Sequence, residues 1–113
     1  MYTIYHNPRC SKSRQTLALL EENNVDITVV EYLKNPLTAP EILSLLAKLN
    51  KTPIEIMRVK ESEFSEQNLK GASDETLINA MVNTPKLIER PIVVKDNAAI
   101  IGRPPENVLT LIN

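Results

Sequence analysis

The one cysteine of this chain, Cys10, sits in the run His6-Asn7-Pro8-Arg9-Cys10-Ser11-Lys12-Ser13-Arg14. A lone cysteine judged by count alone reads first as a small buried hydrophobe. The run around it points elsewhere, because it is polar, basic and turn-forming. A free thiol with a pKa near 8.5 is only about 7% ionised at pH 7.4, so a nucleophilic cysteine needs an environment that favours the thiolate. The entrance of a helix supplies one, through unpaired backbone N–H groups and the positive end of the macrodipole. The same N–H groups, from Ser11 to Arg14, would wrap an oxyanion beside the sulfur. The hydroxyls of Ser11 and Ser13, the Arg14 guanidinium and the charge of Lys12 would help, with Asn7 completing the candidate binding set.

Further along the chain, Arg58, Arg90 and Arg103 each lie next to an apolar stretch rather than in a solvated charge cluster. Guanidinium suits tetrahedral and planar oxyanions. Taken singly, each arginine still reads first as a surface residue or as a salt-bridge partner of Glu89 or Glu106. Two readings also stand for His6: a hydrogen bond that stabilises the Cys10 thiolate or orders its loop, and simple packing at a strand end. One cysteine and one histidine are too few ligands for a structural zinc, so no metal site is expected.

These residues need a scaffold, and 113 residues with 42% hydrophobic composition suffice for one core and one domain, 1–113, without disulfides. The formal net charge of -1 leaves no bulk field to recruit nucleic acid or an acidic membrane, so any anion site must be local. No apolar run approaches the roughly 18 residues of a membrane span, and the first residues lack a signal-peptide pattern. A single cysteine agrees with a reducing compartment. The expectation is a cytoplasmic protein without nucleic-acid or membrane partners, with a monomer favoured.

Tyr2 to Tyr5 reads as a short strand stopped by Asn7-Pro8, Ser11 to Asn23 as a helix, and Ile27 to Val30 as a second strand. A helical crossover would make the two strands parallel. Thr38 opens a helix to about Leu49, Thr52-Pro53 a short helical stretch, and Ser73 a helix through Met81 and Val82 that Pro85 ends. This block is a helical insert over about 38–84. Ile92-Val93-Val94 and Ala98 to Ile101 then read as a hairpin turning at Asp96-Asn97, and Glu106 to Ile112 as a closing helix. The order is β-α-β, helical insert, β-β-α. With the cysteine at the first strand-to-helix junction, it suggests an α/β thioredoxin-like fold with a mixed four-stranded sheet.

The run from His6 to Leu17 resembles the active-site loop of the glutaredoxin-coupled arsenate reductases, the ArsC family, with its H-N-P-x-C-x-x-S-R-x-x-L pattern. Arg58, the Glu89-Arg90-Pro91-Ile92 strand entrance and the Gly102-Arg103-Pro104 turn resemble that family's other landmarks in the same order. Ser11-Lys12 depart from the Gly-Thr of the best-known arsenate reductases. The resemblance implies that Cys10 attacks arsenate and that Arg58, Arg90 and Arg103 gather around the arsenic intermediate. It also implies that no cofactor is bound, that glutathione is a co-substrate and that glutaredoxin is the protein partner. Pro91 resembles the cis-proline of thioredoxin-like folds, an ordinary trans proline being the alternative. Two other functions stay open: a thiol oxidoreductase of the same fold acting on a glutathione mixed disulfide, and a protein-binding regulator like the Spx proteins. The latter typically carry a C-x-x-C pair, whereas position 13 here is Ser.

Overall fold

Strand β1, Tyr2–Tyr5, buries Tyr2 and Ile4 and leaves Thr3 and Tyr5 half-covered, the period-two alternation expected of a strand over a core. In the computed structural model, which describes residues 1–112, β1 pairs in parallel with β2, Ile27–Val30, placing Tyr2 opposite Ile27 and Tyr5 opposite Val30. Parallel neighbours need a crossover, and helix α1, Ser11–Glu22, supplies it. Strand β3, Ile92–Lys95, runs antiparallel to β1, and β4, Ala98–Ile101, antiparallel to β3. The sheet is therefore mixed and four-stranded, in the order β2-β1-β3-β4. The hairpin turns where Asp96 adopts φ 54°, a left-handed conformation that Asp tolerates better than most residues.

These elements form one unit, Met1–Asn35 together with the chain from Arg90 onward. Its core gathers Tyr2, Ile4, Leu20, Val93 and Val108, with Leu17, Val25, Ile27 and Ile100 packed against them. The closing segment begins as a 3-10 turn, Pro105–Val108, and becomes helix α5 only over Leu109–Ile112.

The second unit, Pro36–Glu89, carries the helical segment. Helix α2, Ala39–Leu49, opens on a capping box: the Thr38 N–H donates to Glu41 Oε1 at 2.9 Å, and the Glu41 N–H to Thr38 Oγ1 at 3.3 Å. It buries Ile42, Leu45, Leu46 and Leu49 along one face. After the 3-10 turn Pro53–Ile56 come a short helix α3, Ser62–Glu66, and α4, Asp74–Asn83, which Ser73 caps. The segment runs past residue 84. The Arg58 N–H donates to the Leu87 carbonyl at 2.7 Å and the Glu89 N–H to the Ile56 carbonyl at 2.8 Å, tying its end to its middle.

Candidate active site

The chain leaves β1 with the His6 N–H still donating to the Val30 carbonyl at 2.8 Å, then tightens into a loop. The Cys10 N–H donates to the Asn7 carbonyl at 3.0 Å, and the Arg9 N–H to Asn7 Oδ1 at 3.0 Å. Such side-chain-to-backbone closure is what makes Asn a turn residue. Arg14 reaches back from α1 to donate to the Pro8 carbonyl at 2.9 Å, holding the loop to the helix. Cys10 is the N-cap residue, with extended backbone (φ -93°, ψ 122°), and its carbonyl accepts from the Arg14 N–H at 3.0 Å.

No acidic side chain occupies the first turn of α1, so the positive end of the helix faces the sulfur uncompensated. Cys10 is half-buried. Burial pushes its thiol up. Against this act the Ser13 N–H, the Arg90 guanidinium through both hydrogen bonding and charge, and the Lys12 N–H, and together they hold the thiol below its ordinary value. No side-chain capping hydrogen bond of full geometry forms at Cys10, and it is the Ser13 and Lys12 N–H groups with the Arg90 guanidinium that favour the thiolate.

Arg90 immediately precedes Pro91, and the peptide between them is cis. Its Nε is buried with no hydrogen-bond partner among the described residues, while its carbonyl accepts from Arg103 Nη1 at 3.3 Å. Arg103 is exposed and thus tied to the backbone of the arginine that faces the thiol.

Behind the loop, buried His6 and Ser13 pair, Nδ1 to Oγ, at 2.6 Å, and the same Oγ accepts from the Asn7 N–H at 3.0 Å. His6 therefore orders the loop. The Ser13 hydroxyl, expected to contact an oxyanion, is fully buried in this pairing, and only its backbone N–H serves the sulfur. Asn7 likewise spends its side-chain oxygen on the turn. Ser11, Lys12 and Arg14 are exposed around the helix entrance. Arg58 belongs to the second unit, where its Nε lies 3.2 Å from Glu61 and its Nη1 3.1 Å from Glu89. Among the described residues no three His, Cys, Asp or Glu side chains group closely enough to hold a metal ion, and no helix is long and apolar enough to cross a membrane.

The sequence pattern of the ArsC family matches residues 5–111. The chain belongs to the ArsC family. It is 42% identical over 112 residues to a protein named arsenate reductase from Rhizobium meliloti (strain 1021), covering 97% of this chain and 80% of that one. It is 54% identical over 112 residues to Escherichia coli (strain K12) YfgD, an uncharacterized protein, covering 96% and 94% of the two chains. Among solved structures, a putative arsenate reductase from Yersinia pestis superposes with a TM-score of 0.94 at 48% identity, covering 97% of this chain and 99% of that one. An arsenate reductase from Vibrio cholerae gives 0.93 at 46% identity, covering 96% and 95%. The thioredoxin-like fold follows from these likenesses and from the sheet order.

Two residues of this ArsC chain escape a reading based on chemistry-bearing side chains. Thr16 is fully buried one helical turn beyond Lys12, and Gly102 is buried at the end of β4. The signal for the second was its rarity, since the whole chain contains only two glycines.

Proposed function

We propose that this protein reduces arsenate to arsenite, with Cys10 as the nucleophile and glutathione, then glutaredoxin, as the source of electrons in a cytoplasmic setting. The observation that carries the reading is the Arg90 guanidinium acting on the sulfur of a cysteine that stands at the N-cap of a helix free of first-turn acids. Such a site favours a thiolate and draws an oxyanion to it. The Arg90 guanidinium supplies charge beside the thiolate to hold an arsenate oxygen, and exposed Ser11, Lys12, Arg14 and Arg103 add polar or positive groups around the approach. Asn7, Ser13 and His6 hold the loop in shape. Arg58 enters the proposal through its likeness to the family landmark.

In this mechanism the thiolate attacks arsenic(V) and one oxygen leaves as water. The glutathione thiol then supplies the second sulfur. As the Cys10–glutathione disulfide forms, arsenic takes up two electrons and departs as arsenite. A glutaredoxin thiolate attacks the glutathione sulfur and returns Cys10 to the thiolate. The direct test measures arsenite formed from arsenate, glutathione and glutaredoxin by wild type and by Cys10→Ser. Turnover by the wild type and none by the variant is expected, and equal rates would end the proposal.

A further inference from the structure

Thr16 and Gly102 join the two groups of atoms that act on the Cys10 sulfur. Thr16 Oγ1 donates to the Lys12 carbonyl at 2.8 Å and approaches the Gly102 carbonyl at 3.4 Å. Gly102 donates its N–H to the Pro91 carbonyl at 2.9 Å. A Cβ placed on Gly102 would lie 2.6 Å from Thr16 Oγ1, 2.9 Å from Pro91 Cγ and 3.0 Å from Thr16 Cγ2. Side-chain atoms do not tolerate such approaches without displacement. The backbone at Gly102 is not in the left-handed region, so the position calls for glycine for reasons of space and not of conformation.

On one side of this contact stands the first turn of α1, whose Lys12 and Ser13 N–H groups face Cys10. On the other stands Pro91, covalently next to Arg90. We propose that Gly102 and Thr16 are positioning residues: the missing side chain at 102 lets Thr16 and Pro91 close to the spacing at which the Arg90 guanidinium reaches the Cys10 sulfur. This rests on Cys10 being the nucleophile, and it extends the site to two residues that act through others. Arg103, which donates to the Arg90 carbonyl, follows Gly102 directly and is carried by the same turn.

The test reads the thiol itself and needs no arsenate: the rate of iodoacetamide alkylation of Cys10 against pH, in the full chain. Gly102→Ala is expected to move the midpoint upward and slow alkylation at pH 7 by roughly 3- to 10-fold, since each unit of pKa above the working pH costs about tenfold in thiolate. Adding Thr16→Ala, which removes two of the three close contacts, should restore most of the wild-type rate. In an Arg90→Ala background, Gly102→Ala should shift the midpoint by less than a third of its effect in the wild type, because the guanidinium is already gone. A wild-type alkylation profile in folded Gly102→Ala, or a full-sized shift in the Arg90→Ala background, overturns the proposal. Should Gly102→Ala fail to fold, Thr16→Ala alone decides: opening the gap should slow alkylation by about 2- to 3-fold, and an unchanged profile counts against the proposal. Failure to reduce arsenate with these thiol effects intact would sink the proposed reaction and leave the positioning standing.

Discussion

His6 Nδ1 and Ser13 Oγ, seven residues apart, lie 2.6 Å from one another in a buried pair that closes the Cys10 loop. Ser13 Oγ accepts from the Asn7 N–H and keeps both its proton and a second lone pair, so it pairs with Nδ1 in either tautomer of the His6 ring. One hydroxyl thus links the end of β1, the loop and the first turn of α1. Ser13→Ala leaves the Asn7 N–H and His6 Nδ1 buried without that partner, at a cost of roughly 1–3 kcal/mol. Urea unfolding of variant and wild type measures it, with the Cys10 midpoint expected to rise in the variant as the loop loosens. A loss within error of zero would mean that the pair does not hold the loop.

The burial of His6 makes the fold sensitive to acid. Burial lowers the His6 pKa, Glu31 raises it and Arg14 lowers it, and the sum lies below the ordinary 6.5. The folded state therefore binds this proton less readily than the unfolded chain. Its contribution is fully present above about pH 6.5 and is lost as pH falls toward the folded midpoint. Melting temperatures between pH 7 and 5 should fall more steeply for wild type than for His6→Asn. Parallel slopes would show that His6 does not set the acid limit.

Why some of this was legible in the sequence and some was not follows from how each residue is used. Tyr2–Tyr5 and Ile27–Val30 are dense in β-branched and aromatic residues, and their strand bounds agree with the pattern. Thr38 and Glu41 announce α2 through reciprocal capping. Helix α3 lies within the expected helical insert but carries no signal of its own, because five residues with the single buried Phe64 show no period. The closing helix was expected from Glu106, but Pro105 opens a 3-10 turn and the α-helix begins only at Leu109. At the site, the thiol and the arginine before Pro91 were legible because their types are chemical. The burial of the Ser13 hydroxyl was not, since a hydroxyl facing substrate and one facing a histidine read alike. Arg58 shows the same ambiguity, having both Glu61 and Glu89 as ion-pair partners within its own unit.

Cys10 should make stability rise with pH, the thiol being held below its ordinary value in the fold. A depressed folded pKa adds stability that is complete above the unfolded pKa and disappears as pH falls through the folded one. Wild type should therefore gain on Cys10→Ser as pH is raised toward 9, and the gain should shrink when Arg90→Ala removes the guanidinium. Arg90→Ala should also shift the thiolate absorbance midpoint upward. A midpoint unmoved by that substitution would take Arg90 out of the account of the thiolate.

The proposed electron source rests on counting sulfurs. Cys10 is the only thiol in the sequence, and reduction of arsenic(V) to arsenic(III) by thiols consumes two of them, leaving a disulfide. No internal disulfide can close, so in the proposed reaction the second thiol would come from outside, and glutathione is small enough to supply it. With arsenate and glutathione present and glutaredoxin withheld, intact-protein mass spectrometry should find Cys10 carrying a glutathione adduct. Cys10→Ser should carry none. Adding glutaredoxin should clear the adduct and restore turnover, because its own low-pKa thiol attacks the mixed disulfide. Thioredoxin without glutathione should support little turnover, since no protein disulfide forms for it to reduce. Sustained arsenite production under that last condition would overturn the assigned electron path while leaving Cys10 as the nucleophile.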